Sequence, residues 1–160
     1  MVSKWDKRFL DLAQHFSTWS KDPSTQVGAV GVIDGRLPIP GYNGFPRGIE
    51  DTPERLNARP EKYKRTIHAE MNVIYNASEL GVSLSGATLY VYGLPVCSGC
   101  SLGIIQVGIK RVVMRPDLMR LTDSWRKSFN ETADNFSEAG VDWDIELVTG
   151  ELANKMRYDV

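Results

Sequence analysis

Residues 87–114 read ATLYVYGLPVCSGCSLGIIQVGIKRVVM. Alternating β-rich residues at 87–92 predict a strand. Cys97 and Cys100 are three apart, which puts both thiols on one side of the first turn of a helix running to about 107. Gly108 stops that helix, and 110–114 predicts the next strand. Strand, helix, strand is a parallel crossover unit, so the chain reads as an α/β protein.

Working outward, 121–139 predicts a helix ending at Gly140, 143–148 a last strand, and 150–156 a short helix or tail. Upstream, 68–80 predicts a helix with Met71, Ile74 and Tyr75 on its apolar side and Gly81 as its stop. Residues 26–33 read as a buried strand, Asp34-Gly35 as a hairpin turn, and 37–42 as an irregular edge partner because of Pro38 and Pro40. Residues 3–19 predict an amphipathic helix on which Trp5, Phe9, Leu12, Phe16 and Trp19 share a face. The 43–65 segment reads as a long loop punctuated by Arg47, Arg55, Arg59, Lys62, Lys64 and Arg65, either solvated or holding phosphates. The expectation is one domain over residues 1–160: a three-layer α/β/α fold with a mixed sheet of about five strands.

The chain has two cysteines, both in C-x-x-C, and two histidines, one of which opens His68-Ala69-Glu70. One imidazole and two thiolates are ligands that zinc prefers. A structural zinc site closes with four protein ligands, whereas a catalytic one keeps a place for water. With no third cysteine, a Cys-rich structural site cannot close within one chain. Glu70 then lies where a carboxylate could move protons beside a metal site. Other readings of these pieces are a chance H-x-E, a dithiol redox pair, or half of a structural metal site. His15 reads as a surface or boundary histidine.

A net charge of −1 argues against a general nucleic-acid or membrane-surface binder. At 42% hydrophobic, the chain can bury a sizeable core. It has no apolar run long enough to span a bilayer and no signal-peptide pattern at its start, so a cytoplasmic setting is expected.

H-x-E followed by P-C-x-x-C is the signature of zinc-dependent base deaminases. Together with DPSTQVGAV at 22–30, GYNGFPRG at 41–48, HAEMNVI at 68–74, LYV at 89–91, CSGC at 97–100 and IQVGIK at 105–110, it resembles the deoxycytidylate branch of the cytidine/deoxycytidylate deaminase superfamily. The likeness runs from about Phe9 to Met114. Here Val96 is inserted between Pro95 and Cys97, and the Tyr that many relatives carry after the 110–114 strand is missing; Arg115 and Arg120 could supply charge there.

The resemblance implies zinc held by His68, Cys97 and Cys100, with Glu70 as proton shuttle, in the hydrolytic deamination of dCMP to dUMP and ammonia. It places Gln26, Val27, Asn43 and Ala69 at the substrate, with Asn43 on the sugar and Ala69 backbone on the base edge. An Asn in a turn and a Val in the core are the plain alternatives for two of these. The resemblance further implies a homohexamer activated by dCTP and inhibited by dTTP, with Mg²⁺ beside the triphosphate. Gly44, Phe45, Arg47, Gly48, Arg59 and Lys64 are the candidate effector residues. No stable nucleic-acid or membrane partner is expected. The competing functions are a deaminase of a free nucleoside, tRNA or single-stranded nucleic acid, and a non-catalytic nucleotide-binding zinc module.

Overall fold

The computed structural model describes residues 1–146. Its elements in order are α1 (Lys4–Ser17), β1 (Gly28–Ile33), β2 (Leu37–Tyr42), α2 (Pro53–Asn57), α3 (Arg59–Arg65), α4 (Ala69–Leu80), β3 (Thr88–Gly93), α5 (Ser98–Gln106), β4 (Arg111–Pro116), α6 (Asp123–Ala139) and β5 (Asp142–Ile145). The sheet order is β2-β1-β3-β4-β5. β1 is antiparallel to both of its neighbours, and β3, β4 and β5 run parallel. The mixed five-stranded sheet between helices is the architecture read from the sequence.

Side-chain alternation sorts the strands into two cores. Leu89, Val91, Val112 and Met114 face α4, α5 and Phe136 of α6. Val30, Val32, Tyr90 and Val113 face α1, which covers the other side through Leu10 and Ala13.

The buried stripe of α1 differs from the aromatic one expected. Asp6, Leu10, Ala13 and Ser17 are buried, while Trp5 and Trp19 are 62% and 53% exposed. The cause is a backbone approach that excludes large side chains. A Cβ on Gly28 would lie 2.0 Å from the Ala13 carbonyl oxygen. Small residues therefore define the contact line, and the aromatics flank it.

The 43–65 segment is also not one loop. It contains α2, capped by the Thr52 hydroxyl and opened by Pro53, and α3, opened by Arg59-Pro60. Proline in the first turn costs no hydrogen bond, so T-P and R-P mark starts that apolar periodicity does not reveal. The last two positions of the strand expected at 143–148, and the helix or tail expected at 150–156, lie outside the described residues.

β2 is an edge strand, as its prolines indicated. Pro38 and Pro40 are two apart and turn the same side of the strand outward, where a missing N–H breaks no ladder bond. On that side the side-chain amide of Asn76 donates to the Pro40 carbonyl at 2.8 Å, and that of Asn72 to the Tyr42 carbonyl at 2.7 Å. Both asparagines belong to α4, so the helix is tied to the strand beneath it. No helix among the described residues is long and apolar enough to cross a membrane.

Asp6 anchors α1 to the sheet. Its carboxylate accepts from both outer nitrogens of Arg111 (2.8 and 3.1 Å), from the Tyr90 hydroxyl (2.8 Å) and from the Ser3 N–H (2.7 Å). Burial alone would push this carboxyl up, but the hydrogen bonds together outweigh it and hold it well below the usual carboxylate range. A depressed native value contributes stability above the unfolded value near ~3.9 and loses it as pH falls through the native one. Asp6→Asn is therefore expected to cost about 2–3 kcal/mol at pH 7 in urea unfolding. The gap from the native protein should narrow in acid below about pH 4.

Candidate active site

Two helix starts meet beneath the carboxyl ends of β2 and β3, beside the amino end of β1. Their residues are fixed by capping geometry. His68 is the extended N-cap of α4, and Cys97 is the extended N-cap of α5, its sulfur accepting from the Cys100 N–H at 3.4 Å. α4 can lie this close to β2 because position 41 is glycine. A Cβ there would sit 2.4 Å from the Ala69 carbonyl oxygen and 2.7 Å from the Val73 nitrogen.

His68 Nδ1 lies 3.4 Å from Cys97 Sγ and 3.4 Å from Cys100 Sγ. All three ligand atoms fall within 4.8 Å of one another. Tetrahedral zinc, with Zn–N near 2.0 Å and Zn–S near 2.3 Å, sets such N···S pairs roughly 3.5 Å apart. The donor set and spacing fit zinc. The Cys97 thiol is pushed down, first by its hydrogen bond with Cys100 and then, against burial, by that with His68. A thiolate is the state in which a cysteine binds metal.

Glu70 occupies the first turn of α4 and is 3% exposed. Burial pushes its carboxyl up to about 7, more than the neighbouring His68 pulls it down. Ala69 beside it is fully buried, and the Trp125 ring tilts against His68 with centroids 6.1 Å apart.

α6 holds the approach to Cys97. The Thr132 hydroxyl donates to the Val96 carbonyl at 2.9 Å, and the Ser128 hydroxyl accepts from the Ser98 N–H at 2.9 Å. The extra residue Val96 is fully buried in the core. The insertion is thus absorbed inward, and its backbone carbonyl is satisfied by Thr132.

A cavity of about 660 Å³ opens onto Glu70 and His68, within the range of small-molecule sites. Val27, Asn43, Ala69 and Arg59 line it. Gln26 does not; it is exposed, and its amide donates to the Ser20 carbonyl at 2.7 Å. Asn43 is buried, with its Oδ1 accepting from the Val27 N–H and its Nδ2 donating to the Thr25 carbonyl, each at 2.9 Å.

The six expected effector residues do not share this cavity; Arg59 alone of them lines it. Arg47 pairs with Glu79 and lies 3.3 Å from Asn76, and Lys64 pairs with Glu61 at 3.4 Å. Gly44 bridges to Ile67, Phe45 is half-buried, and Gly48 holds a positive φ of 81°.

Arg115 is engaged by Glu146 and Asp11 on the α1 side, away from the cavity, whereas Arg120 lines it and donates to the Ser24 carbonyl. Sequence reading passed over Trp125, Ser128 and Thr132, which carry no motif of their own. Lys62, one of the cations read as either solvated or holding phosphates, has its side chain buried against Asp22.

Residues 3–115 match the model of the cytidine and deoxycytidylate deaminase zinc-binding region. The chain belongs to the cytidine and deoxycytidylate deaminase family. An uncharacterized deaminase in the luxG 3′ region of Aliivibrio fischeri is 39% identical over 142 residues, covering 89% of this chain and 93% of that protein. The mouse deoxycytidylate deaminase is 38% identical over 120 residues, 71% of this chain, and the match spans 66% of the mouse protein's length. Among solved structures, the dCMP deaminase of cyanophage S-TIM5 in complex with dCMP and dUMP superposes with a TM-score of 0.72 at 25% identity, covering 91% of this chain and 99% of that one.

The family's zinc-binding description and the ligand spacing lead to one measurement. Metal analysis of the purified protein is expected to give one zinc per chain, and Cys100→Ser to lose it. Thr132→Val keeps the side-chain shape but frees the Val96 carbonyl; about a tenfold loss of zinc affinity in chelator competition is expected.

Proposed function

We propose that this protein is a zinc-dependent deaminase that converts dCMP to dUMP and ammonia. The observation that carries the reading is the buried carboxyl of Glu70 beside the His68–Cys97–Cys100 trio on the wall of a nucleotide-sized cavity. The names of the mouse and cyanophage relatives support dCMP as the substrate.

The reaction consumes one water, breaks the C4–NH₂ bond, forms C4=O and releases ammonia. Zinc on His68, Cys97 and Cys100 would supply a water whose pKa is lowered toward ~7. The carboxyl of Glu70, at about 7, can both take and give a proton near neutrality. In the proposed cycle it accepts one proton of the attacking water and delivers it to ring N3, then takes the remaining hydroxyl proton as C4=O forms and gives it to the leaving amine. The Ala69 backbone meets the base edge, and Val27 forms part of the wall. Asn43 has spent one lone pair and one N–H on the 25–27 backbone; the other lone pair and N–H are available to the sugar hydroxyl. Gln26, bonded to Ser20, shapes the loop beside the site.

The proposal extends to a homohexamer in the cytoplasm, activated by dCTP and inhibited by dTTP with Mg²⁺ at the triphosphate. The assembly and the effectors rest on the resemblance to the deoxycytidylate branch, and the compartment on two cysteines at metal spacing and no others.

Turnover of dCMP, deoxycytidine, CMP and an oligonucleotide should be compared side by side, with and without dCTP or dTTP. dCMP is expected to be the preferred substrate. Glu70→Gln is expected to lower its turnover by about 10²–10⁴-fold while zinc content stays at one per chain. Full activity in that variant would remove Glu70 from the mechanism.

A further inference from the structure

Six cations punctuate residues 47–65, and their surroundings separate them. Arg47, Lys64 and Arg65 are neutralised by Glu79 and Glu61. Arg55 donates to the Glu50 carbonyl at 3.1 Å. Two remain, Arg59 and Lys62, one turn apart on α3, and both line the cavity that holds Glu70.

Lys62 is 5% exposed. Its ammonium lies 3.2 Å from Asp22 Oδ1 and 3.5 Å from Ser24 Oγ. The same Asp22 oxygen accepts from the Ser24 N–H at 2.8 Å and the Thr25 N–H at 3.0 Å. A buried lysine has thus been placed to fix the 22–25 turn, and that turn is cavity wall. Arg120 reaches the same turn from beyond β4, on the Ser24 carbonyl, and ion-pairs with Asp117 at 3.1 Å. Arg59 alone of these three has neither hydrogen bond nor ion pair among the described residues. Asp22 offsets Lys62, and Asp117 offsets Arg120, so this side of the cavity keeps an uncompensated positive charge at Arg59.

Resting on the deaminase reading above, we propose that Arg59, with Lys62 and Arg120 around Ser24, is the subsite for the substrate's 5′-phosphate, and that Arg59 is the residue that selects a nucleotide over a nucleoside. A phosphate monoester carries about −1.5 to −2 charges at pH 7 and three acceptor oxygens. A guanidinium fork meets such a group with two parallel donors. Arg59 therefore belongs to the substrate and not to a separate effector site.

The test measures binding of the product pair, dUMP and deoxyuridine, by calorimetry, which needs no turnover. Arg59→Gln removes a side chain that bonds to nothing described, so the fold is expected to persist; zinc content and thermal melting verify it. The dUMP affinity is expected to fall about tenfold, and at least fivefold more than that of deoxyuridine. Arg59→Lys should recover part of the loss, and added salt should weaken dUMP more than deoxyuridine. Equal losses for both ligands, or no loss for either, overturn the subsite, as does a native protein that binds both equally. A native protein that deaminates no cytosine compound overturns the deaminase reading instead. Inorganic phosphate binding, weakened in Arg59→Gln or not, then still decides the subsite.

Discussion

The contact on which the site depends is one between backbones, where α4 presses on β2 at Gly41. A single methyl there would collide with the carbonyl of Ala69 and the nitrogen of Val73. Because that space is empty, the start of the helix comes down onto the strand, and Asn72 and Asn76 bond its edge carbonyls. His68, Ala69 and Glu70 are the cap and first turn of this helix, so their positions follow from the seating of the whole rod. Gly28 plays the same part for α1 on the opposite face.

The second half of the site arrives by a different route. Cys97 caps α5 after a parallel strand, and the sulfur is held by the turn's own N–H. The approach to it is braced from α6 through Ser128 and Thr132. Burial then does two things at once. It keeps the Glu70 carboxyl near neutrality in its proton affinity, and it seals Ala69 beside it from solvent. The 22–27 turn closes the remaining side, tied inward by Asn43 and Asp22.

Much of this was legible in the sequence. The strand–helix–strand unit, the two glycine stops at positions 81 and 140, and the proline-marked edge all follow from local chemistry. The metal trio was readable because cysteine and histidine are scarce here and correctly spaced. What was not legible depended on how elements approach one another. Hydrophobicity points to Trp5 and Trp19 as the inner face of α1, but the closeness demanded by Gly28 admits only Ala13 and Ser17. The burial of Lys62 and the outward pairing of Lys64 cannot be told from two lysines in one short helix. The separation of Arg115 from Arg120 turns on which side of the sheet the chain exits, which no periodicity records.

The edge at β2 has a consequence for life in a crowded solution. An open strand is a template onto which another chain can zip, and repetition of that event grows a fibre. Here two of the outward positions offer no donor, and the acceptors at Pro40 and Tyr42 are already occupied by the asparagines of α4. The rim is thus blunted on that flank, so a stray strand finds fewer groups to pair with. The same two amides that seat α4 therefore also hinder polymerisation from this side.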